Sequence, residues 1–125
     1  MKLLLDTHVL LWWLDDPENI SEAAGSAIRS PENPVYVSAA TIWEIVIKKA
    51  LGKLDAPDNL NEVLRACQFS PLSITAEHAM AVGGLQPHHH DPFDRILIAQ
   101  AKVEGLVIVT RDSDVLRYSV PHLLG

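Results

Sequence analysis

Apolar residues in this chain follow two patterns, and the alternation between them sets the architecture to expect. LLL at residues 3–5, VYVSA from Val35 and LVIVT from Leu106 are short apolar runs rich in branched or aromatic side chains and bounded by polar residues. Such runs read as strands buried on both faces, as in a parallel sheet covered by helices. Longer stretches with helical spacing separate them: HVLLWWL, SEAAGSAIRS, IWEIVIKKALGKL, LNEVLRAC, EHAMAVGGL and FDRILIAQAKVEG. FSPLSI adds a brief extended segment, and the tail VLRYSVPHLLG an edge strand or a short helix. Strands alternating with helices predict an α/β fold, a three-layer α/β/α domain with a mostly parallel central sheet.

Punctuation between the runs supports this division. Ser21 is placed to cap the helix through SEAAGSAIRS, with Glu22 in its first turn, where the positive end of the helix dipole favours an acid. Thr41 or Ser38 caps the helix through IWEIVIKK, which puts Glu44 in its first turn; Gly52 and Pro57 end it. Asp58 or Asn59 restarts a helix, and Thr75 caps the one after it. QPHHHDPFDR is the clearest loop. Within it Asp91 reads as the cap ahead of Pro92, because proline suits the first helical position.

The chain has 125 residues, 48% of them hydrophobic, which fits one domain over residues 1–125 with a single crevice. Its one cysteine, Cys67, reads as a small buried hydrophobe in a reducing compartment. MKLLL imitates a signal peptide, but Asp6, Thr7 and His8 break the apolar region and no small-residue cleavage site follows, so a cytoplasmic protein is expected. No apolar stretch reaches the roughly 20 residues of a membrane helix. The formal net charge of −6 argues against a general, electrostatically driven nucleic-acid binder. It does not argue against a nuclease, because acids concentrated at a metal site inflate the negative count and bound cations cancel it locally. The cluster Lys48, Lys49 and Lys53 reads as a solvated helix face.

Four acids stand where apolar runs end or helices open: Asp6 in LLLDTH, Glu44 in TIWEIVIK, Asp94 in DPFDRILIAQA and Asp112 in VTRDSD. The carboxyl ends of strands in open α/β sheets face the ligand crevice. Carboxylates gathered there repel one another unless a cation joins them, and the hard ions that oxygen ligands select are Mg²⁺, Mn²⁺ or Ca²⁺. Metal-dependent phosphodiester chemistry follows as the reading to test. A haloacid-dehalogenase-type phosphatase needs a second carboxylate two residues after the first, where His8 stands. A receiver domain needs an adjacent acidic pair near the first strand and a lysine in a late loop, and neither occurs.

With these acids in register, the chain resembles the PIN-domain ribonucleases and, more narrowly, the VapC-type toxins of toxin–antitoxin pairs. The resemblance rests on LLLDTHVLLWWL, SAATIWEIVIKKALGKL, HHHDPFDRILIAQA and VTRDSDVLRY, in that order over most of the chain. It implies a PIN fold, a Mg²⁺- or Mn²⁺-dependent endoribonuclease leaving 5′-phosphate and 3′-hydroxyl ends, homodimerisation, and inhibition by a small cognate antitoxin. It also implies an acidic tetrad of Asp6, Glu44, Asp94 and Asp112 that holds the metal and carries catalysis, with Thr110 supporting the last acid. Asp114 is the nearest rival of Asp112. The alternative is a catalytically silent PIN-like module that binds an antitoxin or nucleic acid.

Neighbouring residues have competing readings. Thr7 is a helix cap or a hydrogen-bond partner of a carboxylate. Arg95 and Arg111 flank proposed ligands and either pair with the tetrad or contact substrate phosphate. Three adjacent histidines, His88 to His90, cannot all face one ion, so loop structure with one inward histidine is expected. Trp12, Trp13 and Trp43 could stack bases, but their apolar surroundings point to the core or a subunit interface.

Overall fold

The computed structural model describes residues 1–125. Five strands, β1 (Leu3–Leu5), β2 (Val35–Ser38), β3 (Ser70–Leu72), β4 (Val107–Thr110) and β5 (His122–Leu124), form one sheet in the order β3-β2-β1-β4-β5. Every pairing is parallel, with Leu3 opposite both Val35 and Val107. The seven α-helices are α1 (Thr7–Asp15), α2 (Glu22–Arg29), α3 (Ala39–Ala50), α4 (Leu60–Ala66), α5 (Ala76–Val82), α6 (Pro92–Glu104) and α7 (Ser113–Leu116).

Strand periodicity divides the core in two. Leu3, Leu5, Val35, Val37 and Val109 face α1 to α4, where they pack with Val9, Leu10, Ala24, Ile28, Ile45, Leu60 and Leu64. Leu4 and Ile108 point the other way, onto Leu97, Ile98 and Ala101 of α6, Val115 of α7 and Tyr118. The three layers thus arise from one run of residues whose successive side chains take opposite faces. The chain first winds outward from β1 through β2 to β3, then crosses back to β4 and on to β5. Because such crossovers share one hand, reversing direction moves the helices to the other face. The reversal also leaves a crevice between the carboxyl ends of β1 and β4, the place where open sheets of this kind bind ligands.

Local chemistry agrees with most of the expected boundaries. Ser21, Ser38 and Thr75 cap α2, α3 and α5 through their hydroxyls. Asp91 caps α6 ahead of Pro92 as expected, its Oδ1 accepting from the Asp94 amide at 3.0 Å. Of the two candidates for the α3 cap, Ser38 takes the role, and Thr41 is left buried with no partner for its hydroxyl. Because the helix begins at Ala39, Glu44 lies in its second turn and not its first. Cys67 is half-buried against the larger core cluster. No helix is long and apolar enough to cross a membrane.

Candidate functional site

Asp6 follows β1 and is 6% exposed. Its extended backbone makes it the N-cap of α1, Oδ1 accepting from the Val9 amide at 2.8 Å. Oδ2 accepts a hydrogen bond from the hydroxyl of Thr110, the last residue of β4, so the two strands flanking the crevice are tied through the first acid. Thr110 Oγ1 in turn accepts from the backbone amide of Asp112 at 3.0 Å. One threonine therefore aligns both the first and the last acid.

Of the two readings of Thr7, the structure takes the hydrogen-bond partner of a carboxylate over the helix cap. Asp6 holds the cap, and Thr7, as the first helical residue, is free to donate Oγ1–H to Glu44 Oε1 at 2.6 Å. Glu44 Oε2 accepts from Lys48 Nζ at 2.5 Å, one turn further along α3. Buried Glu44 thus has both oxygens engaged. Lys48 departs from the expected solvated face. The hydrogen bond to Glu44 and the charges of Glu44, Asp91 and Asp94 hold its ammonium above the ordinary lysine range, against the opposing effect of its partial burial.

Asp94, in the first turn of α6, directs Oδ2 to His89 Nε2 at 3.1 Å. Desolvation, reinforced by the charges of Asp91 and Asp112, pushes its pKa up to about 6 even though the His89 hydrogen bond opposes the shift. Asp6 is raised for the same leading reason, burial, with a contribution from Asp112. Asp112 therefore acts electrostatically on both other aspartates. Asp114 points elsewhere, 3.7 Å from Arg117.

The four acids share one edge of the sheet, but no three acidic, histidine or cysteine side chains stand close enough to cage an ion as they are. The donor set nevertheless suits a hard divalent cation: carboxylate and hydroxyl oxygens only, with negative charge that burial leaves undercompensated at Asp6 and Asp94. Thr41 adds an unpartnered buried hydroxyl one turn before Glu44, on the same face of α3.

Other expectations are redistributed. Arg95 pairs with no member of the tetrad. Its guanidinium reaches Gln86 O (3.0 Å), Tyr118 Oη (2.8 Å) and Val82 O (3.3 Å), bracing the loop before α6. Arg111 holds Asn19 and lies 4.2 Å from the Trp12 ring centre. The expected single inward histidine is corrected: His88 and His89 both turn in against the Tyr118 ring, and of the two only His89 reaches an acid. Trp12 and Trp13 pack on the core, whereas Trp43 is 60% exposed and stands edge-on to Phe93, ring centres 5.3 Å apart. The sequence reading missed Lys48 and Tyr118. The i,i+4 spacing from Glu44 is a signal for Lys48. Nothing local marks Tyr118, whose partners Arg95 and His89 lie 23 and 29 residues away.

A family model described as PIN domain matches residues 3–121. The chain belongs to the PIN-domain family. Among PIN proteins, this one is 32% identical over 117 residues to Ribonuclease VapC22 of Mycobacterium tuberculosis, covering 88% of this chain and 86% of that protein. Its PIN fold is similar to VapBC2 from Rickettsia felis, solved bound to a DNA fragment from its promoter, with a TM-score of 0.74, 14% identity and coverage of 98% of both chains. DNA-bound VapBC from Salmonella typhimurium is similar too, with a TM-score of 0.72, 18% identity and coverage of 98% of this chain and 97% of that one. At these identities the structural likeness is one of fold. In this PIN domain Asp6 and Asp112 stand just beyond the carboxyl ends of the neighbouring strands β1 and β4.

Proposed function

We propose that this PIN domain, spanning residues 1–125, is a divalent-metal-dependent endoribonuclease, the toxin of a VapC-type pair, acting in the cytoplasm and held in check by a small cognate antitoxin. The observation that carries the reading is the pairing of Asp6 with Thr110 at the switch point of the sheet, with Asp94 and Asp112 electrostatically coupled beside it. Asp6, Glu44, Asp94 and Asp112 would hold Mg²⁺ or Mn²⁺. When bound, the cation supplies Lewis-acid charge at the scissile phosphate and lowers the pKa of the attacking water.

The chain's own residues prepare that site. Thr110 fixes Asp6 and the Asp112 backbone, and Thr7 fixes Glu44, so the carboxylates are oriented before substrate arrives. Lys48 screens Glu44 and is the cation nearest the acids, placed to exchange its carboxylate partner for a phosphate oxygen. No Ser, Cys or His is set beside a base as a nucleophile, so direct in-line attack by water, leaving a 5′-phosphate and a 3′-hydroxyl, accounts for the arrangement. Recognition must lie outside the acids, since every phosphodiester looks alike to them. Single-stranded loops, whose bases can be splayed, fit that requirement. Homodimerisation belongs to the same reading, and the exposed Trp43 and Val46 supply apolar surface for a second copy to cover.

The alternative, a catalytically silent PIN module, draws support from Lys48 filling one oxygen of Glu44. Cleavage of single-stranded RNA by purified protein decides between them. The nuclease reading expects cleavage with Mg²⁺ or Mn²⁺, none in EDTA, and loss of most cleavage in Asp6→Asn, Glu44→Gln and Asp94→Asn with the fold intact. Near-normal cleavage in two of the three variants at saturating Mg²⁺ would overturn the tetrad. No cleavage by wild type in either metal would favour the silent module.

A further inference from the structure

We propose that His89 is the positioning residue for Asp94, and that its ring is set for this task by Tyr118 and Arg95. The inference rests on the reading of Asp94 as a metal-holding carboxylate. It starts from the direction of hydrogen bonds. Arg95 has only donors, so at 2.8 Å from Tyr118 Oη it obliges that oxygen to accept. The phenolic proton must then go elsewhere, and its partner is His89 Nδ1 at 2.8 Å. With Nδ1 accepting, the proton of the neutral ring sits on Nε2, which faces Asp94 Oδ2 at 3.1 Å. The protons thus point one way, from guanidinium to phenol to imidazole to carboxylate.

Packing holds this relay in place. Tyr118 is buried in the core cluster of α6 and α7, and both His88 and His89 meet its ring at steep angles, with centres 4.8 and 5.4 Å away. Arg95 follows Asp94 directly on α6 and is anchored to the carbonyls of Val82 and Gln86, so it braces the loop from which His89 reaches back. Tyr118 itself lies just after α7, the helix that Asp112 caps, and its amide donates to Val115 O of that helix at 3.1 Å. The third acid is therefore oriented relative to the fourth. With Oδ2 committed to His89, Oδ1 of Asp94 has no protein hydrogen-bond partner. Hydrogen-bonded partners of this kind typically contribute 10–100-fold to metal affinity or activity.

The test measures Mn²⁺ affinity of the RNA-free protein by titration calorimetry or electron paramagnetic resonance, with melting temperatures for each variant. His89→Ala should weaken Mn²⁺ binding about 10–100-fold. His89→Gln, whose amide can still donate to Asp94, should recover most of the loss. Tyr118→Phe should weaken binding less, and added to His89→Ala it should weaken it no further, because the phenol acts only through the ring. Independently of metal, the ¹⁵N signals of the neutral form of the wild-type His89 ring should show the proton on Nε2, and Tyr118→Phe should mix the tautomers. Wild-type Mn²⁺ affinity in His89→Ala, additive losses in the double variant, or a proton on Nδ1 would each overturn the assignment. Failure of the underlying metal reading looks different, because Asp94→Asn would then bind Mn²⁺ as wild type does.

Discussion

At the scale of single residues, burial works against ionisation at the acids. The Asp94 pKa, raised from an ordinary 3.8 to about 6, means that the folded protein binds more protons than the unfolded chain between those values. That contribution to stability is present below the ordinary value and is lost as pH rises towards 6. Asp94→Asn should therefore raise the melting temperature of the metal-free protein at pH 7.5, where wild type bears the full penalty, and change it little near pH 4. It should also shrink the gain on adding Mn²⁺, since a cation that binds only the native cluster stabilises it by mass action. Melting curves with EDTA and with excess metal check both; a variant less stable than wild type in EDTA at pH 7.5, with an unchanged metal response, would make Asp94 structural. Thr110 carries a second expectation. Thr110→Val removes the donor to Asp6 and the acceptor for the Asp112 amide inside the core, and should cost about 1–3 kcal/mol at neutral pH. Thr110→Ser should restore most of it, as chemical denaturation would show.

Elements place these residues through their ends. Asp91 caps α6 and so starts the helix that carries Asp94. Asp91→Ala should cost about 1 kcal/mol and leave the metal dependence of cleavage in place, whereas a ligand role would abolish it. Helix α4 ends in a Schellman motif, the amides of Gln68 and Phe69 closing onto Arg65 O and Leu64 O while Phe69 packs with Leu64 in the core. The left-handed position belongs to Gln68, at φ 62°. Gly105, with φ 68°, serves the same purpose at the end of α6 without that strain. Gln68→Gly should stabilise the protein by about 0.5–1 kcal/mol, and Gly105→Ala should destabilise it by about as much, readable as opposite shifts of the denaturation midpoint.

For the molecule as a whole, the balance of charge decides how RNA approaches. With a net charge of −6 and four acids at the proposed site, metal-free protein should bind single-stranded RNA weakly. Ca²⁺, a hard cation with the same ligand preference, should strengthen binding by cancelling charge where the phosphate must sit. Fluorescence anisotropy of labelled RNA, in EDTA and with Ca²⁺, measures the difference. Equal affinity under both conditions would place the RNA surface away from the acids.

What the sequence determined by itself was everything carried by local pattern. Apolar runs of strand length alternating with helical spacing were enough for a parallel α/β/α fold, because side-chain period is set by backbone geometry and not by distant partners. Asp6 at the end of β1, Asp94 in the first turn of α6 and Asp91 as the cap before Pro92 were legible for the same reason. The position of Glu44 was one turn out, because Ser38 and Thr41 can both cap a helix and only packing chose between them. Contacts across the sheet were beyond any local signal. The bond from Thr110 to Asp6 spans 104 residues, and that from Thr7 to Glu44 spans 37. Arg95 looked like a partner of the acids because it adjoins one, yet neighbours on a helix point about 100° apart, and its side chain was taken up by the loop and Tyr118. Tertiary structure alone decided which hydroxyl meets which carboxylate, since only the folded sheet brings the ends of β1 and β4 together and excludes the water that would otherwise satisfy each group separately.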